Sequence, residues 1–185
     1  MKTSLTSAPF HGEPDLQAMI DLLAASRAPD RHDEHPSPSS LREMLSVPAH
    51  QEGVRLWRDA DARLAGFALV DVRYCNLYWE IHPAASSLGL ESEIMRWASQ
   101  YLPLGRRAWG LATDNLTLDA SCRSDDVQRI ALLEAHGFQG GECRRATARF
   151  RTALGQDSDE QLKPEFTRQA AEGTLNVSGG QAPQA

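Results

Sequence analysis

The sequence predicts an α/β (α+β) fold, a mixed central sheet with helices on both faces, and three observations carry that expectation. Short apolar or alternating runs recur from Val54 to Phe150. Segments with an apolar stripe at helical spacing lie between them. Two of the strand-like runs form a close hairpin, while later ones alternate with helices, so antiparallel and parallel neighbours are expected in one sheet.

The elements follow in order. PDLQAMIDLLAAS, residues 14 to 26, sets Leu16, Met19, Ile20 and Leu23 on one helical face behind a proline suited to a first turn. A polar, Pro-rich loop, RAPDRHDEHPSPSS, leads to Ser40 and Glu43, an S-x-x-E capping box for a short helix to about Val47. GVRLWRD, the turn ADAR and LAGFALVDVRY read as a hairpin whose second strand is apolar on both faces and therefore central. LYWEI alternates Leu77, Trp79 and Ile81 against Tyr78 and Glu80, a strand.

Leu90, Ile94, Trp97, Ala98 and Tyr101 form the stripe of an amphipathic helix expected to stop before Pro103 and Gly105, with a loop over 103 to 114. NLTLDASC is the next strand, and Ser124 with two following Asp residues opens the helix DDVQRIALLEAHGF. Gly137 stands where a left-handed C-cap belongs, with Phe138 folding back. GECRRATARFR closes as a single strand, Ala146, Ala148 and Phe150 facing inward. Residues 1–153 are thus one domain, and 154–185 a polar, largely disordered tail with a short helix from Pro164 to Gly173.

Composition narrows the function. With 185 residues and a net charge of −6 the chain has no basic run to follow a phosphate backbone or an anionic bilayer, so neither nucleic acid nor membrane is an expected partner. The first residues lack the apolar core of a signal peptide and no later run is long enough to span a bilayer, which reads as cytoplasmic. Cys75, Cys122 and Cys143 are scattered and odd in number, as reduced thiols are. HDEH at 32 to 35 lacks partners at known ligand spacing, so a solvated loop is expected rather than a metal site.

The passage EIHPAASSLGLE, Glu80 to Glu91, joins a strand to a helix through small residues. Such a junction gathers backbone N–H groups at the positive end of a helix dipole, where phosphate binds. Gly89 suits it by its conformational freedom, although a glycine in a strand-to-helix turn also serves geometry alone.

The words RLWRDADARLAGFALV, LYWEIHP, SSLGLESEIMRWA and DDVQRIALLEAHGF together resemble the GNAT superfamily of acetyl-CoA-dependent N-acetyltransferases, over about residues 53 to 139. The resemblance implies that the strand end at Ile81 to Pro83 pairs with the pantetheine arm of acetyl-CoA. It also implies that the following loop holds the pyrophosphate through Ser86, Ser87, Leu88, Gly89, Leu90 and Glu91. The family's Q/R-x-x-G-x-G/A pattern falls on Ser86, Gly89 and Glu91, keeping the central glycine alone. Its last helix, N-x-x-A-x-x-L-Y-E-x-x-G-F, aligns with Asp126, Leu132, Leu133, Glu134, Gly137 and Phe138, and this makes Asp126 a further cofactor contact.

The departures have physical meaning. Ser86 offers one short donor where Arg or Gln would reach a phosphate. Glu91 suits the helix dipole but repels a pyrophosphate if it points at it. Leu133 stands where many members carry a Tyr that protonates the departing thiolate, and it has no proton to give.

Glu80 is the first candidate for the base that takes a proton from an amine, sharing a strand face with Tyr78 and His82; a solvent-facing strand Glu is the alternative. His82 is the second, against a structural role before Pro83. Cys122 ends the next strand and reads as a buried, inert thiol. Arg144, Arg145, Arg149 and Arg151 suit an acidic substrate or the adenosine phosphate, with an exposed strand face as the default.

The preferred expectation is an N-acetyltransferase that binds acetyl-CoA between residues 77–82 and 116–122 and transfers directly to a primary amine, small molecule or peptide. The 14–47 helices and their loop, with Asp30, Asp33 and Glu34, would receive the amine. The competing expectation is a non-catalytic GNAT-like module that binds CoA weakly or works through protein contacts. Its grounds are the degraded loop, the absent Tyr, no evident last strand after Phe150, and a flanking pattern like the first half of a tandem pair. Such a module could form a homodimer across an open sheet edge.

Overall fold

The computed structural model describes residues 5–28, 31, 35–144 and 147–154. In chain order these form β1 (Thr6–Pro9), α1 (Glu13–Ser26), α2 (Pro38–Leu45), α3 (Pro48–Gln51), β2 (Val54–Arg58), β3 (Leu64–Asp71) and β4 (Asn76–Ile81). A 3-10 turn (Pro83–Leu88) leads to α4 (Leu90–Ala108), β5 (Thr117–Arg123), α5 (Val127–Ala135), β6 (Gln139–Arg144) and β7 (Thr147–Ala153). The strands make one mixed sheet ordered β1-β2-β3-β4-β5-β7-β6. Among the described strands only the β4–β5 pair is parallel, as the α4 crossover between them requires.

Alternation along the strands sorts the core into two layers. Val54, Leu56, Phe67 and Leu69 pack against Leu16, Met19, Leu23 and Leu41 of α1 and α2. On the opposite face Ala68, Val70, Leu77, Trp79, Leu118 and Ala120 pack against Ile94, Ala98 and Leu102 of α4 and Leu133 of α5. β3 is buried along almost its whole length, in keeping with its apolar reading on both faces. Helices therefore cover both sides of a mixed sheet, the fold class expected from the sequence.

Several boundaries differ, each for a local reason. β1 is a four-residue edge strand, TSAP, too short and too exposed for alternation to mark it. α2 begins one turn earlier than expected: Ser37 is the N-cap, its hydroxyl accepting from the Ser40 N–H at 3.2 Å, and Pro38 opens the helix. α4 runs through Pro103 to Ala108. Its last turns are held by packing, with Leu102 and Gly105 buried and the Arg106 guanidinium donating to the carbonyls of Val72 and Ala112, both at 2.7 Å.

The single closing strand is two strands, β6 and β7, paired antiparallel, with β7 also laddered along β5 from Thr117↔Ala153 to Arg123↔Thr147. One ground for the non-catalytic expectation is the absence of an evident strand after Phe150; β7 contains Phe150 and is the last strand among the described residues. Trp57 and Trp79 are buried; Trp97 is half-buried, edge-on to Trp57 and stacked on Tyr101. Neither Cys75 nor Cys122 is in a disulfide. Among the described residues no helix is long and apolar enough to cross a membrane. The 154–185 tail beyond Leu154, the Pro164–Gly173 helix and Asp30, His32, Asp33 and Glu34 lie outside the described residues.

Candidate active site

The site begins where two strands part. β4 and β5 are laddered at Asn76↔Asp119 and Leu77↔Ala120, and the pairing then ends. Tyr78, Trp79, Glu80 and Ile81 stay paired to β3 on their other side. One edge of β4 is therefore left without a strand partner, opposite the Ser121–Arg123 end of β5. Tyr78 and Glu80 project to the α1/α2 face, and Trp79 and Ile81 to the α4/α5 face.

Glu80 is buried, 9% exposed. Its Oε2 accepts from Nε of Arg27 at 3.1 Å, and its Oε1 lies 3.7 Å from Nη1 of Arg129. Arg27 is the C-cap of α1, and its Nη1 also donates to the Pro36 carbonyl at 2.9 Å. Beside Glu80, Tyr78 meets the ring of His35 edge-on at 5.0 Å. Burial first, then the negative charge of Asp71, raises the Tyr78 pKa, so its hydroxyl stays protonated at neutral pH.

Arg129, on α5, donates from Nη2 to the carbonyl of Trp79 at 2.6 Å, and its guanidinium lies 4.1 Å from the centre of the Trp79 ring. Trp79 and Glu80 point to opposite faces. A single side chain that touches the ring of one, the carboxylate of the next and the carbonyl between them must run along the unpartnered edge of β4. Arg129 thus passes through the opening between β4 and β5, and its Nε is buried without an acceptor.

The other end of the site is the turn into α4. His82 caps the 3-10 turn, its Nδ1 accepting from the Ala84 N–H at 3.2 Å, so it lies just past the end of β4 rather than on the strand. Ser86 donates its hydroxyl to the Pro83 carbonyl at 2.9 Å. Ser86, Ser87 and Gly89 are exposed, Ile81, Leu88 and Glu91 half-buried, and Leu90 is wholly buried, so Leu90 can meet a ligand only through its backbone. Gly89 is left-handed at φ +69°, and a Cβ built there would meet nothing within 4 Å. Glu93 is drawn to the sheet, accepting from Trp57 Nε1 at 2.9 Å. Asp126 caps α5 through Oδ1, 3.1 Å from the Arg129 N–H, while its Oδ2 accepts from Arg31 at 3.3 Å.

The fold aligns with those of solved acetyltransferases. The ribosomal-protein-S18-alanine N-acetyltransferase from Escherichia coli aligns with a TM-score of 0.60 at 17% identity, over 86% of this chain and 100% of that one. A GNAT superfamily phosphinothricin acetyltransferase from Sinorhizobium meliloti, solved with AcCoA, aligns with a TM-score of 0.60 at 16% identity, over 91% of this chain and 97% of that one. The chain has the GNAT fold.

A GCN5-related N-acetyltransferase from Sphaerobacter thermophilus shares that fold at a TM-score of 0.57 and 20% identity, over 74% of this chain but 44% of the other. Residues 132–167, starting within α5, match a family model described as a protein of unknown function (DUF2997). No curated protein sequence matches the chain. At these identities the likeness is one of fold, and chemistry has to be argued from the site.

The GNAT fold implies acetyl-CoA, and the residues fit it at the level of the backbone. The exposed Ser86, Ser87 and Gly89 lie before the first turn of a 19-residue helix, with open space over the glycine. The free edge of β4 offers main-chain groups to an extended arm. One side chain, that of Arg129, lies along that edge. Sequence pattern singles out Glu80, Gly89 and Asp126 but not Arg27, Arg31 or Arg129. Arg129 did leave a trace, since it precedes Leu133 by four residues and so shares its helix face.

Proposed function

We propose that this chain is a cytoplasmic enzyme that transfers an acetyl group from acetyl-CoA directly to a primary amine. The observation that carries the reading is the opening between β4 and β5, followed at once by the turn through Gly89 into α4. Bound there, acetyl-CoA supplies a thioester carbonyl as the electrophile. The β4 edge at Trp79 to Ile81 holds the arm, and Ser86 to Glu91 with Asp126 line the way to the phosphates.

The amine approaches from the α1/α2 face, where Glu80, Tyr78 and His35 gather. Glu80 acts as base through Oε1, whose contact with Arg129 at 3.7 Å is too long for a hydrogen bond, while Oε2 stays anchored on Arg27 at 3.1 Å. His82 stands second, just past the end of the same strand; because Nδ1 accepts from the Ala84 N–H the neutral ring carries its proton on Nε2, so it takes a proton only when Nδ1 lets go of that N–H. Leu133 is fully buried and apolar, so the thiolate takes its proton from water rather than from α5.

The second reading, a GNAT-like module without catalysis that pairs with a protein or with itself, is favoured by two observations: Leu133 in place of a proton donor, and Arg129 along the arm's path. Calorimetric titration of acetyl-CoA into wild type and Gly89→Trp separates them. Micromolar binding abolished by the tryptophan, followed by acetylation of a member of an amine panel, supports the enzyme. Binding without acetylation of any primary amine leaves the module, and no binding in the wild type removes the cofactor.

A further inference from the structure

Resting on that reading, we infer that Arg129 is an internal plug: it occupies the place of the pantetheine arm along β4, and the donor binds only in the fraction of molecules in which this side chain has swung out. Three contacts define the closed state. The guanidinium donates to the Trp79 carbonyl at 2.6 Å, stacks on the Trp79 ring at 4.1 Å and faces Glu80 Oε1 at 3.7 Å. The carbonyl is a main-chain acceptor on the β4 edge that β5 leaves free, the kind of group an extended amide-bearing arm uses when it lies beside a strand. Arg129 and the arm therefore compete for one acceptor.

The closed state is also imperfectly satisfied. Nε of Arg129 is buried with no acceptor, and its partner Glu80 is shared with Arg27. An unmet buried N–H is a cost carried by the closed state alone, because in the swung-out state water supplies the bond. The plug is a side chain on a helix surface, so withdrawing it needs rotamer changes and no movement of the sheet. If the open state holds about one molecule in ten, the apparent affinity is reduced about tenfold.

The sign of the effect distinguishes a plug from an ordinary cation in an anion site. CoA is a polyanion, so deleting a nearby guanidinium that helped to hold it would weaken binding. Deleting a plug strengthens it. The contrast sharpens with ADP, which has the nucleotide and pyrophosphate but no arm, and which the plug does not obstruct.

The test is calorimetric titration of acetyl-CoA and of ADP into wild type, Arg129→Met and Arg129→Lys, each shown to be folded by circular dichroism. Met keeps length without charge or donors; Lys keeps a donor for the carbonyl but loses the planar stack. Expected are a roughly tenfold fall in the acetyl-CoA Kd for Arg129→Met, a smaller fall for Arg129→Lys, and an unchanged Kd for ADP. If only the Lys variant folds, any fall in its acetyl-CoA Kd that ADP does not share supports the plug. An acetyl-CoA Kd that is equal or higher in the folded variants, while wild type binds well, overturns the plug and leaves the enzyme reading in place. If acetyl-CoA binds to neither wild type nor variants, the enzyme reading falls and the plug falls with it.

Discussion

Arg129 and Trp79 are joined twice, once through the ring and once through the carbonyl: the guanidinium stacks at 4.1 Å and donates at 2.6 Å. α5 is thereby tied to the edge of β4 across the opening. Trp79 is 5% exposed, so the stack is largely out of water, where such contacts are strongest. A double-mutant cycle with Trp79→Leu and Arg129→Met, read by urea unfolding, should give a coupling energy of about 1 kcal/mol. The ring term alone is deleted in the Leu variant, because the carbonyl remains; additive single effects would mean that the stack contributes nothing.

Arg27 and Glu80 form the most enclosed ion pair of the site, with side chains 6% and 12% exposed. Removing one partner leaves a buried charge whose next cation is 3.7 Å away. Arg27→Ala should therefore destabilise the fold by about 3 kcal/mol. Adding Glu80→Gln to it should recover part of that loss, since the stranded charge goes with it. A double variant as unstable as the sum of the two singles would contradict this account.

His35 gives the site a pH dependence. Burial of part of its ring and, after that, the positive charge of Arg27 lower its pKa from the usual 6.5. The unfolded chain then binds the proton more readily than the folded one. Stability is fully present above pH 6.5 and declines as the pH falls below it toward the lowered folded value. The urea midpoint should drop over that range in wild type and drop less in His35→Asn. Identical slopes would mean that the ring is hydrated as it is in the unfolded chain.

Much of the fold could be read in the sequence because its signals are local. The stripes of α4 and α5, the alternation in β4 and the left-handed Gly137 after α5 are set by residues within a turn of each other. β1 gave no such signal, and no Gly, Pro or Asn marks the change from β6 to β7, so two strands read as one. Pro103 pointed to a helix end that tertiary packing overrides. In the site, Glu80 and Gly89 stood out by position on a strand and in a turn. Arg27 did not, because it meets Glu80 from 53 residues away, and periodicity carries no information about such a meeting.

Gly53 and Gly89 should respond oppositely to a methyl group. At Gly53 a Cβ would run into the Val70 carbonyl, part of β3 and fixed there by the Val70 N–H to Gly53 carbonyl bond of 2.8 Å. Neither chain can yield, so Gly53→Ala should cost about 2–3 kcal/mol in urea unfolding. At Gly89 the space is empty and only the left-handed backbone, φ +69°, resists. Gly89→Ala should cost about 1 kcal/mol. Gly89→Asn should cost less, because Asn tolerates this region better than other side chains do. If Asn costs as much as Ala, the turn before α4 is rejecting the side chain itself rather than the backbone angle, and the open space assigned to a phosphate is not there.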